Sequence, residues 1–357
     1  MAIGKSIFYP DVWSSFYIFI GGVYKILRTL QLYDFRFYAI VVLNIILSSI
    51  SVIIVYNIAK KITSQKISLL IALIFIFYYP YLYLNSLIMS ENIFIPAILG
   101  FLYLLLFNSK KIKWILAGLL FGISLLCRPI LFSFIPFLII WLLIFKRKAF
   151  IIFIPAIIVL VAAGLINQKV GTHHIFSIGT NGGVNFAMTQ CRFKKLQYNG
   201  PNKEFFYFTP PAFWNGKYEE KYTSVSFTTQ GYYYKMGIDC LLKNPARLFT
   251  NLEYIKNIFI SRFYPDFPKI KIHTFQLAFW RYAGIIFYVL FILYAFTKVK
   301  KTVLPIYLLF VFLFVSLMMS VYFANPGEER YLAGYFFILD LFAVPALIFF
   351  IKRLSFN

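Results

Sequence analysis

Nine uncharged or nearly uncharged runs, at 38–59, 67–89, 92–108, 114–127, 130–145, 149–167, 279–297, 302–324 and 331–351, leave this chain little choice of solvent. A bilayer core about 30 Å thick takes about 20 apolar residues per crossing helix. The chain is 61% hydrophobic and only 13% charged, where a soluble domain carries about a quarter charged residues. A globular core does not explain that shortfall. The pattern predicts an all-α polytopic membrane protein, a bundle of about nine transmembrane helices. A further stretch, 12–27, is short and amphipathic, with Asp11 placed to cap it. It is expected to lie as a helix in the membrane interface.

The connections set the orientation. Lys60, Lys61 and Lys66 follow the first run, Lys110, Lys111 and Lys113 the third, and Lys146, Arg147 and Lys148 the fifth. Lys298, Lys300 and Lys301 follow the seventh, and Lys352 and Arg353 the ninth. Every alternate connection is basic, which marks the cytoplasmic side. The chain then divides into an external segment with the interfacial helix at 1–37, a six-span module at 38–167, one external, partly helical domain at 168–277 and a three-span module at 278–357. The net charge of +23 does not point to nucleic acid, because the basic residues sit in short clusters between apolar runs. The lipid bilayer is the expected partner. If 38–59 enters from outside, residues 1–37 lie outside with nothing in them to carry the chain across. Either they cross unanchored, or a first transmembrane helix precedes Met1 in a longer gene product.

Charges on the outer side are the functional candidates, since ionisable groups near the membrane are costly. Glu91 opens a run and could equally stabilise a helix N-terminus. Arg128 stands in the turn Cys127-Arg128-Pro129. Residues 114–145 make two crossings of about 24 Å each at 1.5 Å per residue, so this hairpin's apex should be recessed. The sequence offers Arg128 no acidic residue within ten positions. A lipid phosphate suits its guanidinium, and snorkelling is the plainer alternative. On this reading Arg128 holds no core together, and Arg128→Ala should accumulate normally. Arg330 and Tyr331 open the last run beside Glu328 and Glu329, which could simply neutralise the arginine. Asp340, in mid-run, is either the buried partner of a basic group or a polar link between helices.

The external domain holds 14 Lys or Arg against 6 Asp or Glu between Lys169 and Lys271. Its aromatics, such as Tyr232-Tyr233-Tyr234, suit sugar stacking and also interface anchoring. His173 and His174 are adjacent and lack metal-ligand spacing on a helix. Thr180-Asn181-Gly182-Gly183 has the glycines of a tight turn. Cys191 and Cys240 could pair in an oxidising compartment or remain free thiols.

Four stretches together resemble the GT-C superfamily of membrane glycosyltransferases, which includes protein mannosyltransferases, lipid A aminoarabinose transferases and rhizobial lipopolysaccharide galacturonosyl transferases. Tyr79-Pro80-Tyr81 through Met89-Ser90-Glu91-Asn92 is similar to the acidic turn between two early spans. Gly118 through Gly122 to Cys127-Arg128-Pro129 is similar to the glycine-rich hairpin ending in a basic residue and proline. Thr180-Asn181-Gly182-Gly183-Val184-Asn185-Phe186 and Lys243-Asn244-Pro245 resemble the external domain, and Arg330-Tyr331 the basic residue opening a late span.

The resemblance implies transfer of a hexosyl or pentosyl group from a polyprenyl-phosphate donor to a glycan, lipid or protein acceptor. It implies an integral protein of the cytoplasmic (inner) or an endoplasmic-reticulum-type membrane, with its catalytic face external. It gives Arg128 and Arg330 to the donor phosphate, with Glu91 near the same cavity, and Asn181, Gly182 and Gly183 to substrate contacts. An external-loop carboxylate serves as base, and Asp11 is the nominee, although Asp11 also suits a helix cap. The family sometimes uses a divalent metal, for which His173, His174 and Glu91 are the weak ligand candidates. Family members begin one transmembrane helix earlier, so the base could precede Met1. The rival readings are a non-enzymatic transporter or lipid flippase, which should show an internal repeat, and an inactive truncated relative of the family.

The alternating basic loops make a direct topological prediction. Single cysteines placed at Lys110, Arg147 and Lys300 should be shielded from a membrane-impermeant label in intact cells, and those at Asn181 and Tyr233 should be labelled. Labelling at 147 but not at 233 reverses the orientation.

Overall fold

The computed structural model describes residues 14–85, 89–170, 176, 182–191, 196–198, 206–208, 230–252, 255, 271–297, 301–324 and 335–354. Each of the nine apolar runs carries helix, and the amphipathic stretch forms α1 (Ser14–Thr29). The runs become α2 (Arg36–Ile62), α3 (Gln65–Phe77) with α4 (Tyr79–Asn85), α5 (Glu91–Phe107), α6 (Lys111–Cys127), α7 (Ile135–Phe145) and α8 (Phe153–Val170). Between Cys191 and Lys271 lie no long helices among the described residues. After α9 (Gly182–Cys191) come strands β1 (Leu196–Tyr198) and β2 (Phe206–Phe208), then α10 (Gln230–Lys243) and α11 (Arg247–Thr250). Helices α12 (Lys271–Leu293), α13 (Leu304–Ala324) and α14 (Phe336–Leu354) complete the chain. Strands β1 and β2 pair antiparallel, with Gln197 opposite Tyr207. That hairpin is the one departure from an all-α chain among the described residues.

The described helices differ from nine uniform spans. Three segments, Tyr33–Ile62, Arg147–Ile166 and Leu304–Phe323, are long and apolar enough to cross a membrane alone. A fourth counts if Gln65–Phe77 and Tyr79–Asn85, bent by 55°, form one span. The reason is local. Pro80 donates no backbone hydrogen bond and is tolerated only in a helix's first turn, so α3 stops before it, Tyr78 is extended, and a new helix starts at Tyr79. Pro129 likewise replaces the start of the fifth run with a 3-10 segment, Pro129–Phe134, before α7.

The contacts define two compact units. One gathers α2 to α7, the start of α8, α12, most of α13 and α14. Here α5 and α6 form an antiparallel hairpin, with Phe101 stacked on Phe121 at 4.7 Å between ring centroids. The elbow between α3 and α4 is fixed by aromatic rings. Tyr78 stacks on Phe336 of α14 at 3.7 Å and meets Trp280 of α12 edge-on at 5.3 Å, and such geometries contribute beyond the area they bury. Ser133 donates to Ser316 O at 2.9 Å, and Trp141 Nε1 to Pro305 O at 2.7 Å. Among the described residues Asp340 meets neither a cation nor a polar group on another helix. It is fully buried, and neither oxygen has a hydrogen-bond partner among the described residues.

The other unit gathers α1, the rest of α8, α9 to α11 and the end of α13. A disulfide, Cys191–Cys240, joins α9 to α10 with Cα atoms 5.2 Å apart. Gly182 and Gly183 open α9 instead of making a free turn. A side chain at 182 would meet the Tyr234 hydroxyl, and one at Gly237 would meet the Phe186 ring, so small residues let the two helices close. Tyr233 is buried and Tyr234 exposed, which makes 234 the better labelling position. The unit grips the last turn of α13. Gln190 Nε2 donates to Phe323 O at 2.6 Å, occupying one of the carbonyls a helix C-terminus leaves unpaired. Asn251 Nδ2 donates to Gln190 Oε1 at 3.3 Å, and the Tyr322 hydroxyl donates to Leu248 O. This is the end of α13 that the basic-loop pattern assigns to the outside.

One glycine tests the packing directly. A Cβ at Gly118 would meet the backbone oxygen of Ile152 and the Pro155 ring, and a backbone oxygen cannot swing aside. Gly118→Val should lower the thermal midpoint in detergent by an amount near the upper end of the ~1–3 kcal/mol typical of overpacking. Gly22→Ala, which faces open space, should leave it unchanged. Equal midpoints for both variants would refute this account of the contact.

Candidate functional site

The start of α5 and the end of α6 bring two charges together. Ser90 and Glu91 start α5, and the positive end of the helix dipole favours a carboxylate there. Pro129 cannot continue α6, and it pushes Arg128 out of helical geometry, to φ −140° and ψ 88°. Arg128 therefore caps α6, and a cation suits that helix end. Both helices are 17 residues long and joined by a three-residue loop, 108–110. The start of one consequently lies beside the end of the other. Glu91 and Arg128 form an ion pair whose side chains are 1% and 7% exposed. Ser90 Oγ donates to Glu91 Oε2 at 3.2 Å.

The partner of Arg128 in this structure is thus Glu91, 37 positions away in sequence and adjacent through the hairpin. The expectation that Arg128 holds nothing together is corrected by the same contact. Two buried charges stabilise one another only as a pair, and removing one strands the other in apolar surroundings. Arg128 also lies close enough to Tyr335, which precedes α14, to act on its hydroxyl electrostatically. Tyr335 packs against Phe94 of α5 at 5.3 Å. The start of the last helix therefore borders the pair.

From Asn92, the residue next to Glu91, a set of buried amides leads to the end of α4 and to α2. Asn92 Nδ2 donates to Leu84 O at 3.0 Å, and Asn44 Nδ2 to Asn85 O at 3.1 Å. Both bonds fill carbonyls at the end of α4 that no helical turn reaches. Asn85 Nδ2 donates to Ser48 Oγ at 3.0 Å, and the Tyr81 hydroxyl to Ser51 Oγ at 3.4 Å. Asn44, Asn85 and Asn92 are all buried. Sequence reasoning passed over them, although polar side chains inside apolar runs were the signal that would have found them.

Of the other residues singled out, Asp11, His173, His174, Asn181 and Arg330 lie outside the described residues, as do Glu328, Glu329 and Tyr331. Gly182 and Gly183 are in α9, in the other unit, where the Tyr234 hydroxyl leaves no room for a side chain at Gly182. The described donors do not assemble a metal site. The Glu91 carboxylate is taken up by Arg128 and Ser90, and no three His, Cys, Asp or Glu come together among the described residues. No step below passes through a metal.

The described helices carry a buried acid–arginine pair, Glu91 with Arg128, within the two early stretches that resemble GT-C membrane glycosyltransferases. The comparison with known families agrees. Residues 21–167, which run from α1 through α8, match the sequence model of the family described as dolichyl-phosphate-mannose-protein mannosyltransferase. The matched stretch contains Glu91, Arg128 and the buried amides, and it supports a membrane glycosyltransferase of GT-C type. No curated protein and no solved structure matches the chain.

The pair makes a stability prediction. Arg128→Ala and Glu91→Ala should each lower unfolding stability by ~3–5 kcal/mol, as removal of one member of a buried pair does. The apolar double variant Glu91→Leu/Arg128→Met should recover most of that loss. Thermal unfolding of the purified proteins in one detergent measures it, and a wild-type midpoint for either single variant contradicts the pairing.

Proposed function

We propose that this protein transfers a sugar from a polyprenyl-phosphate donor to the hydroxyl of a glycan, lipid or protein acceptor at the outer face of its membrane. The observation that carries the reading is the buried Glu91–Arg128 pair inside the stretch similar to dolichyl-phosphate-mannose-protein mannosyltransferases. That family's name specifies a polyprenyl-type phosphate donor bearing a hexose. The outer face is supported by the alternating basic loops and by the Cys191–Cys240 disulfide, since such bonds persist in oxidising compartments.

In this reading the acceptor oxygen attacks the anomeric carbon while the bond from that carbon to the phosphate oxygen breaks. The acceptor proton passes to a carboxylate base, which we assign to Asp11. Negative charge grows on the departing phosphate, so a cation there stabilises the transition state more than the ground state. Arg128 supplies that cation, with Arg330 as the second. The guanidinium fork binds two phosphate oxygens at once. Glu91 holds Arg128 in place until the donor phosphate takes over the pairing.

The test uses the purified protein in lipid with polyprenyl-phosphate sugars, measuring release of polyprenyl phosphate at matched amounts of folded protein. Arg128→Lys keeps the charge and loses the fork, so it should retain partial turnover. Arg128→Ala, combined with Glu91→Gln so that no buried charge is stranded, should lose ~10²-fold or more, as removal of a transition-state donor does. Wild-type turnover by that double variant removes the phosphate role from Arg128. Failure of every polyprenyl-phosphate sugar to react with the wild type overturns the reading itself.

A further inference from the structure

The opposite ends of α5 and α6 carry a feature that the transfer reaction does not use. Lys146, between α7 and the 3-10 segment Arg147–Ile152, is half-buried. Its Nζ donates to Leu105 O at 2.7 Å and Leu106 O at 2.8 Å. It thereby occupies carbonyls at the C-terminus of α5, where a cation is favoured. Burial lowers its pKa, and the two carbonyls offset part of that desolvation. The effect on the chain is a tie between the loop at 146–148 and the loop at 108–110. On the second loop, Trp114 Nε1 donates to Asn108 O at 3.0 Å. The approach of Ile152 to Gly118 brings the 3-10 segment against α6 as well.

Four further cations stand exposed on these joined loops: Lys110, Lys111, Arg147 and Lys148. Nothing in the local sequence neutralises them, because no Asp or Glu occurs between Glu91 and Glu204. Helix α6 also begins here with no acidic residue in its first turn and no side-chain hydrogen bond from its N-cap, Lys110. Its free N–H groups add to the positive potential. Next to the cations, Ile112, Leu143 and Ile144 are 58%, 48% and 64% exposed. A cationic rim beside exposed aliphatic side chains has the chemistry of a phospholipid, charged at one end and apolar at the other.

We propose that the two tied loops form a binding site for an anionic phospholipid of the cytoplasmic leaflet. The phosphodiester sits among Lys110, Lys111, Arg147 and Lys148, and its acyl chains lie along Ile112, Leu143 and Ile144. Basic residues close to an anionic leaflet are each attracted to it appreciably. The topological rule alone accounts for positive charge on this side. It does not account for charges from two separate loops being fastened together by a fifth basic residue, Lys146, whose ammonium is held by backbone carbonyls. The site is independent of the transferase reading.

The test is lipid binding by the intact protein. Wild type in nanodiscs of zwitterionic phosphatidylcholine should retain phosphatidylglycerol in native mass spectrometry and gain thermal stability from it. The variant Lys110→Gln/Lys111→Gln/Arg147→Gln/Lys148→Gln should bind phosphatidylglycerol at least about tenfold more weakly. Removal of the same number of charges elsewhere on that face, Lys60→Gln/Lys61→Gln/Lys352→Gln/Arg353→Gln, should leave binding intact. Equal loss in both variants means a diffuse surface charge and overturns the site. Wild type that binds phosphatidylcholine as well as phosphatidylglycerol overturns it too, and that measurement needs no variant to fold. Equal protection by inorganic phosphate would reassign the patch to a free anion and defeat the lipid proposal.

Discussion

A charge placed among apolar side chains must find an opposite charge or revert to neutrality, since leaving it alone costs several kcal/mol. One end of the α5–α6 hairpin is organised around one such requirement. Glu91 and Arg128 sit at the ends of two equal helices, each at the helix end whose dipole favours its sign. Their meeting fixes the register between the two arms of the α5–α6 hairpin. It also decides where the elbow after α3 must end, because Asn92, next to Glu91, closes the carbonyls of α4. The amides of α2 then follow, with Asn44 and Ser48 bonded to or by Asn85.

The helical class, the order of the elements and the nine apolar segments were legible from periodicity and charge alone, because each is a local property of the chain. Glu91 and Arg128 were legible as isolated outer-face charges, and the family resemblance placed them near one cavity. Their direct pairing was not read, because distance along the sequence hid it. The signal was nonetheless present, since a short loop flanked by equal helices sets position 91 opposite position 128. The breaks in the second and fifth runs were also within reach, at Pro80 and Pro129. They were hidden by hydropathy averaging, which does not register a missing N–H. Asp340 stood out as a charge in mid-run, and among the described residues it meets neither of the partners that sequence reasoning offered.

The other unit solves a different problem. Its helices are short and its share of apolar residues lower, so it depends on close approach and covalent closure. Gly182 and Gly237 admit aromatic neighbours where a side chain would block them, and the Cys191–Cys240 bond joins the helices those glycines bring together. The sequence showed two cysteines and a glycine pair without their purpose, because helix-to-helix fit depends on which faces meet. The family match, residues 21–167, takes in only parts of α1 and α8 from this unit.

The stacked ring of Tyr78 on Phe336 also has a consequence for assembly in time. Its two halves belong to the early and the final parts of a chain made from one end to the other, and contacts of such wide separation close late. Until α14 emerges, the elbow at Tyr78 lacks the ring that holds it, and the first turn of α5 lacks Tyr335 beside Phe94. The six early segments can enter the bilayer as they are synthesised. Tyr335, the neighbour of Arg128, arrives only with the last helix.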